Sequence, residues 1–220
     1  MQYALLIQTK GTLKEKFYSS INIILIFILP YFVTFGNIEF FFHTFCLTIS
    51  IGMLCELYLH YKLGDNFTII LILLVLCSFN IIPNLYVDII DYKKVFICVL
   101  IISCMDTYMN IIGKYFVSKL PKYIPVFKYP KSVSGNKTIL SVFLSLLLNI
   151  YVFSFLFEIS IFNISDVIII SLLTAFGDAL FSIYKRKKNI DDFSHLLGKI
   201  GGFCDRFDGW VLPFIYIFVM

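Results

Sequence analysis

Apolar residues fall along the chain in long blocks, at roughly 20–36, 40–60, 67–88, 95–117, 139–158, 163–184 and 209–220, with most charged residues gathered between them. Blocks of this kind predict helices, because a helix needs about 20 apolar residues to cross a hydrocarbon core of about 30 Å. Six of the blocks reach or approach that length. The last does not: its 12 residues would rise only about 18 Å as a helix, so it must begin earlier, dip partway or sit buried among the others. The pattern predicts an all-α, polytopic integral membrane protein of about seven transmembrane helices.

Composition supports this reading. Of the 220 residues, 60% are hydrophobic and 15% are charged, whereas a soluble domain is usually about 45–50% apolar. Too little polar surface remains to cover a water-soluble globule. Charge placement then sets the orientation. With Lys10, Lys14 and Lys16 in the cytoplasm, the later inside segments carry Lys62, then Lys114, Lys119, Lys122, Lys128, Lys131 and Lys137, then Lys185 to Lys188, Lys199 and Arg206. The outside loops carry only Lys93 and Lys94, which is a positive-inside bias. The net charge of +4 belongs to one face of a membrane protein, and nothing points to nucleic acid as a partner.

No small-residue cleavage site follows the first apolar block, so a cleaved signal peptide is not expected. Cys46, Cys55, Cys77, Cys98 and Cys104 fall in apolar blocks, as small hydrophobes. Cys204 falls on the reducing cytoplasmic side and no CxxC spacing occurs, so neither disulfides nor a zinc site is expected. Residues 1–220 read as a single membrane-embedded domain without internal repeats. The longest hydrophilic connections, 118–138 and 185–207, are both cytoplasmic in this topology.

Carboxylates at hydrocarbon depth stand out, since each costs at least about 2.5–3.5 kcal/mol to insert. Asp106, in IISCMDTYMNIIGKYF, would lie about 18 Å deep if its helix leaves the membrane near Ser118. A structural pair with a lysine from another helix and a place lining a cavity are both open to it. Asp178 would lie about 9 Å from the cytoplasmic end of its helix. Asp178, Ser182 and Lys185 are spaced i, i+4, i+7 and share a helix face. A carboxylate, a hydroxyl and an ammonium in one row can hold a metal and a phosphate.

Asp205 and Asp208 are spaced i, i+3, just before WVLPFIYIFVM. They are either oxygen ligands for magnesium, together with Asp178, or caps that favour the positive end of a helix. The run Lys185-Arg186-Lys187-Lys188 is explained equally by membrane topology or anionic lipid contact. Gly201-Gly202 suits a close backbone approach or a turn. His43 and His60 read as membrane-edge residues, and His195 alone says little.

Taken together, GDALFSIYKRKKNIDDFSHLLGKIGGFCDRFDG at 177–209 resembles the C-terminal motif of the phosphatidate cytidylyltransferases, the CDP-diacylglycerol synthases. Gly177, Asp178, Ser182, Lys185, Arg186, Asp192, Gly201, Gly202, Asp205, Arg206 and Asp208 match that motif without a gap. Upstream, Asp106-Thr107 with Gly113-Lys114 is similar to the family's DTGAYFxGR helix, with lysine for arginine. Ser134-Gly135-Asn136-Lys137-Thr138 resembles its SPKKT loop, and Glu56 in CELYLHYKLG resembles a glutamate at the end of an early helix. The similarity starts near residue 10; the helices of about 1–90 are the more divergent part and about 95–220 bears the motifs. This chain has Ile200 for the histidine of HGG, Asp191 for the lysine of a KD pair, and Ile139-Leu140-Ser141 where Trp-Glu-Gly usually stands.

The resemblance implies an enzyme of phospholipid biosynthesis that joins CTP and phosphatidic acid into CDP-diacylglycerol and pyrophosphate. It places the active site on the cytoplasmic side of a bacterial inner membrane, among membrane lipids. It implies Mg2+ held by Asp178 and Asp205, with Asp208 as a third ligand or its support. Lys185 and Arg186 would bind phosphate and Ser182 would support metal or phosphate. Ser134, Lys137, Thr138, Gly201, Gly202 and Arg206 would bind substrate. A monovalent cation beside magnesium and a homodimeric assembly stay open. Two other readings remain: a diverged, non-catalytic homologue that binds lipid, and a sister enzyme using CTP on another lipid phosphate. A transporter is disfavoured, because the ionisable residues cluster on one side.

Overall fold

The structure is a computed structural model that describes residues 38–61, 65–81, 92–116, 138–156, 163–197 and 201–219. The regular elements among these residues are helices, with no strand. In chain order the helices are α1 (Ile38–His60), α2 (Asn66–Leu76, continued by a π-helical turn Cys77–Ile81), α3 (Tyr92–Ile111, continued by a π-helical turn Ile112–Phe116), α4 (Ile139–Leu156), α5 (Ile164–Lys188), α6 (Cys204–Phe207) and α7 (Val211–Val219). A 3-10 turn, Asp208–Trp210, joins the last two.

The helices follow the apolar blocks. Two segments are long and apolar enough to cross a membrane, Val95–Tyr115 and Ile164–Lys188. Thr44–His60, Asn66–Phe79 and Ile139–Phe155 are shorter apolar helices. Of the seven expected crossings, therefore, two have membrane length among the described residues, and the block at 20–36 lies outside them. The final block does begin earlier than drawn, but as separate turns, Cys204–Phe207 and Asp208–Trp210, ahead of the nine-residue α7.

Two compact units share the described residues, each drawn from two stretches of chain. One comes from Met1–Asn80 and Ile190–Phe207, the other from Ile81–Asn189 and Asp208–Met220. The first holds α1, α2, α6 and the strap ahead of α6, described over 190–197 and 201–203. Asp65 starts α2 by accepting from Thr68 N (3.4 Å) and Thr68 Oγ1 (2.6 Å), so an N-terminal donor finds a side-chain acceptor.

The second unit holds α3, α4, α5 and α7. Met105, Met109 and Ala175 form a core cluster on which Val142 and Leu146 pack. Asn149 of α4, fully buried, donates to Ile101 O of α3 (3.2 Å) and to Ser171 Oγ of α5 (2.8 Å). One amide thus bridges three helices, and its Oδ1 has no hydrogen-bond partner. Interhelical hydrogen bonds of this kind contribute about 0.6 kcal/mol and at most about 1.7 in measured membrane proteins. Asn149→Ala is therefore expected to lower the denaturation midpoint in detergent, at a cost of about 1 kcal/mol. An unchanged midpoint would show that the amide adds no net stability.

α5 is closed at both ends. Asn163 N donates to Asp166 Oδ2 (2.9 Å), and Tyr216 OH of α7 donates to Asp166 Oδ1 (3.0 Å). Asn189, at φ 54°, ends the helix in the left-handed region. The basic run Lys185–Lys188 occupies its last turn, where cations offset the negative end of the helix dipole.

Candidate active site

The motif residues fall in both units. In the second, α5 runs unbroken through Asp178, Ser182 and Lys185, so the predicted i, i+4, i+7 row exists. All three side chains are half-buried, while Arg186 is exposed. Gly177 stands one residue before the row. A methyl group there would lie 2.7 Å from Asp208 O and 3.5 Å from Gly209 Cα. On the other side, a methyl at Gly209 would lie 3.2 Å from Thr174 Cγ2. Two glycines therefore let the Asp208–Trp210 turn press its backbone against α5, and Asp208 arrives beside the turn of helix that bears Asp178. The contacts 166 with 216, 174 with 209 and 177 with 208 show that α7 and its leading turn run antiparallel to α5.

Asp208 Oδ1 accepts from Gly209 N at 2.7 Å, so this carboxylate also helps to shape its own turn. Asp205 lies in α6 and Asp208 opens the 3-10 turn. The two are not on one regular helix, and the shared face expected from their spacing does not carry over.

In the first unit the strap leads into α6. Gly201 has φ 97°, a conformation that favours glycine. Asp205 Oδ2 accepts from Phe193 N and Gly202 N, both at 2.9 Å. Leu197 N donates to Gly201 O at 3.0 Å and closes the strap. Glu56 of α1 is fully buried beside it. Its Oε1 accepts from Ser194 Oγ (2.6 Å) and Phe203 N (2.8 Å), and its Oε2 from Cys204 N (2.8 Å). His60 Nε2 donates to Phe193 O at 2.7 Å, and the two rings meet edge to face. His60 read from the sequence as a membrane-edge residue; here it is an anchor for the strap. The signal that could have found it is its spacing of four from Glu56 and eight from Gly52 on one helix.

Other expected site residues have different settings. Thr138 is buried at the start of α4. Ser141 N donates to Thr138 Oγ1 (3.1 Å) and Thr138 N to Ser141 Oγ (3.3 Å), a reciprocal cap. Ser134 and Lys137 lie outside the described residues. Arg206 is exposed on α6. Asp106 lies on an exposed face of α3 and accepts from Asn110 Nδ2 at 3.3 Å.

Among the described residues, no three His, Cys, Asp or Glu side chains are gathered closely enough to hold a metal ion. Magnesium does not require three. It is usually held by one or two carboxylates together with substrate phosphates, and hard cations take oxygen. A half-buried carboxylate at 178, next to a backbone crossing that carries a second at 208, is a donor set of the right chemistry.

The model of the cytidylyltransferase family matches residues 3–220. The chain belongs to that family. It is similar to the phosphatidate cytidylyltransferase of Rickettsia prowazekii, 26% identical over 175 residues that cover 78% of this chain and 77% of the relative. It is 31% identical to the phosphatidate cytidylyltransferase of Rickettsia conorii over 122 residues, 53% of this chain and 52% of the relative. With that of Rickettsia felis it shares 25% identity over 177 residues, 78% and 77% of the two chains. No solved structure is significantly similar to it. That match spans the residues of the α5 row, the 208–210 turn and α6.

Proposed function

We propose that the protein transfers the cytidylyl group of CTP to phosphatidic acid, releasing pyrophosphate and forming CDP-diacylglycerol. The observation that carries this reading is the unbroken row Asp178, Ser182, Lys185 on α5, with Asp208 beside its start, in a chain of the cytidylyltransferase family. The names of the Rickettsia relatives supply the lipid acceptor.

In this reaction a phosphate oxygen of phosphatidic acid attacks the α-phosphorus of CTP. The bond from that phosphorus to the bridging oxygen of pyrophosphate breaks, and pyrophosphate leaves with the electron pair. No protein nucleophile is required, so catalysis rests on positioning and on stabilising charge. One or two of the candidate carboxylates Asp178, Asp205 and Asp208, together with substrate phosphates, would hold magnesium, which when bound neutralises phosphate charge as a Lewis acid. Lys185 and Arg186 bind and orient phosphate oxygens from the end of α5. Ser182 donates to a phosphate or supports the carboxylate above it. Lys137 with Ser134 meets the nucleotide phosphates, Thr138 holds the start of α4 behind them, and Gly201, Gly202 and Arg206 line the approach. The enzyme is multi-pass, with these residues at the cytoplasmic face of a bacterial inner membrane. That placement suits a reaction between one substrate in the bilayer and one in water.

The test is turnover of the purified protein in detergent–lipid micelles with labelled CTP, phosphatidic acid and Mg2+. Label is expected in lipid, together with an equal amount of pyrophosphate. Label appearing only with a different lipid phosphate would make this a sister enzyme. Folded protein that binds CTP yet labels none of several lipid phosphates would be a non-catalytic homologue, and the proposal would fall.

A further inference from the structure

The carboxylate of Glu56 is fully buried on α1, and the reaction just described does not use it. A buried carboxylate is a poor source of stability, because its desolvation commonly exceeds what its partners return. Its use lies in fixing the donors that surround it.

Those donors interleave with the donors of Asp205. Phe193 N goes to Asp205 and Ser194 Oγ to Glu56; Gly202 N goes to Asp205, and Phe203 N and Cys204 N go to Glu56. At both ends of the strap, neighbouring residues are thus split between the two carboxylates. Whatever moves Glu56 moves the backbone that holds Asp205. Sterics leave little slack. A Cβ at Gly202 would strike the Glu56 carboxylate, and one at Gly52, a turn earlier on α1, would lie 2.6 Å from the Phe203 ring. Cys204 Sγ also donates to Met53 O at 3.5 Å, and Phe45 packs edge to face on Phe207. The strap therefore sits against one face of α1 with its backbone donors aimed at that face.

We propose that Glu56, assisted by Ser194, is a positioning residue that sets the carboxylate of Asp205 for its metal through the backbone of Gly202, Phe203 and Cys204. This rests on the reading of Asp205 as a magnesium ligand. It gives α1 a direct hand in holding Asp205. Side chains that orient a metal ligand commonly change metal affinity when removed, by about 10- to 100-fold.

The test follows free Mn2+ by electron paramagnetic resonance during titration of the purified full chain in micelles. Unaltered protein, Glu56→Gln, Ser194→Ala, Ser194→Thr and Asp205→Asn are compared. Glu56→Gln keeps the shape but replaces one acceptor by an amide NH2, which cannot accept from an N–H. It is expected to weaken Mn2+ binding by about tenfold and to raise the Mg2+ concentration needed for half-maximal turnover by a similar factor. Ser194→Ala removes one donor and is expected to weaken binding by about threefold, with Ser194→Thr restoring it. If Glu56→Gln yields no folded protein, the Ser194 pair decides. Weakened binding in Asp205→Asn alone, with the Glu56 and Ser194 variants unchanged, would overturn this proposal and leave the metal assignment standing. Binding that Asp205→Asn leaves unaltered, or no binding by the unaltered protein, would remove Asp205 from the metal site and the proposal with it.

Discussion

Asp178→Asn is expected to cut cytidylyl transfer by at least about a hundredfold while leaving the fold in place. The substitution keeps the size and shape of the side chain and removes its charge. Asp178 is half-buried within the unbroken α5, and asparagine fills the same volume there, so the loss of charge is expected to fall on chemistry more than on folding. The readouts are labelled lipid formed per unit time and the denaturation midpoint of the same preparation. Near-normal turnover at ordinary Mg2+ would take Asp178 out of the site. Asp205→Asn should also lose turnover, but with a different signature. Asp205 Oδ2 organises two backbone donors of the strap, so that variant is expected to lower the midpoint as well.

Gly177→Ala sets two effects of opposite sign against each other. Alanine in a helix interior is favoured over glycine by about 1 kcal/mol, which would stabilise α5. Yet the added methyl would fall 2.7 Å from a backbone oxygen of Asp208, far inside ordinary contact. A backbone atom cannot swing aside as a side chain can, so either α5 or the 208–210 turn must shift. Steric repulsion wins, and Asp208 moves relative to Asp178. A misplacement on the order of 1 Å at reacting groups costs about a hundredfold in rate. The expected result is turnover lower by about that factor, without the stabilisation that helix propensity alone would give. A variant that gains stability and keeps its turnover would show that the turn tolerates displacement and that this crossing does not set the site.

The helices and the chemical identity of the α5 row are properties of local sequence. Blocks of Ile, Leu and Phe specify helix wherever backbone groups must be satisfied internally, and a spacing of four and then three residues puts Asp178, Ser182 and Lys185 on one face of any such helix. The gap-free run from Gly177 to Asp208 was legible for the same reason, since motif spacing is a linear quantity. Placing Ser182 and Lys185 on the face of Asp178 needed no tertiary information.

What the linear chain could not supply is which backbone lies against which. Glu56 and Ser194 are 138 residues apart in sequence and 2.6 Å apart in space. His60 looked like one more aromatic at a membrane edge until Phe193 came to it. Gly177 and Gly209 carry no side chain to announce a contact, and their role is visible only when the added methyl is found to have no room. Thr138 matched a substrate loop by type, while its hydroxyl closes the start of α4. Helical periodicity and family spacing were thus determined by sequence alone, because both depend on neighbours within a few turns. The strap's carboxylate anchors and the glycine-backed crossing were decided by tertiary structure, because buried backbone donors must be met by whatever acceptor the packing brings to them.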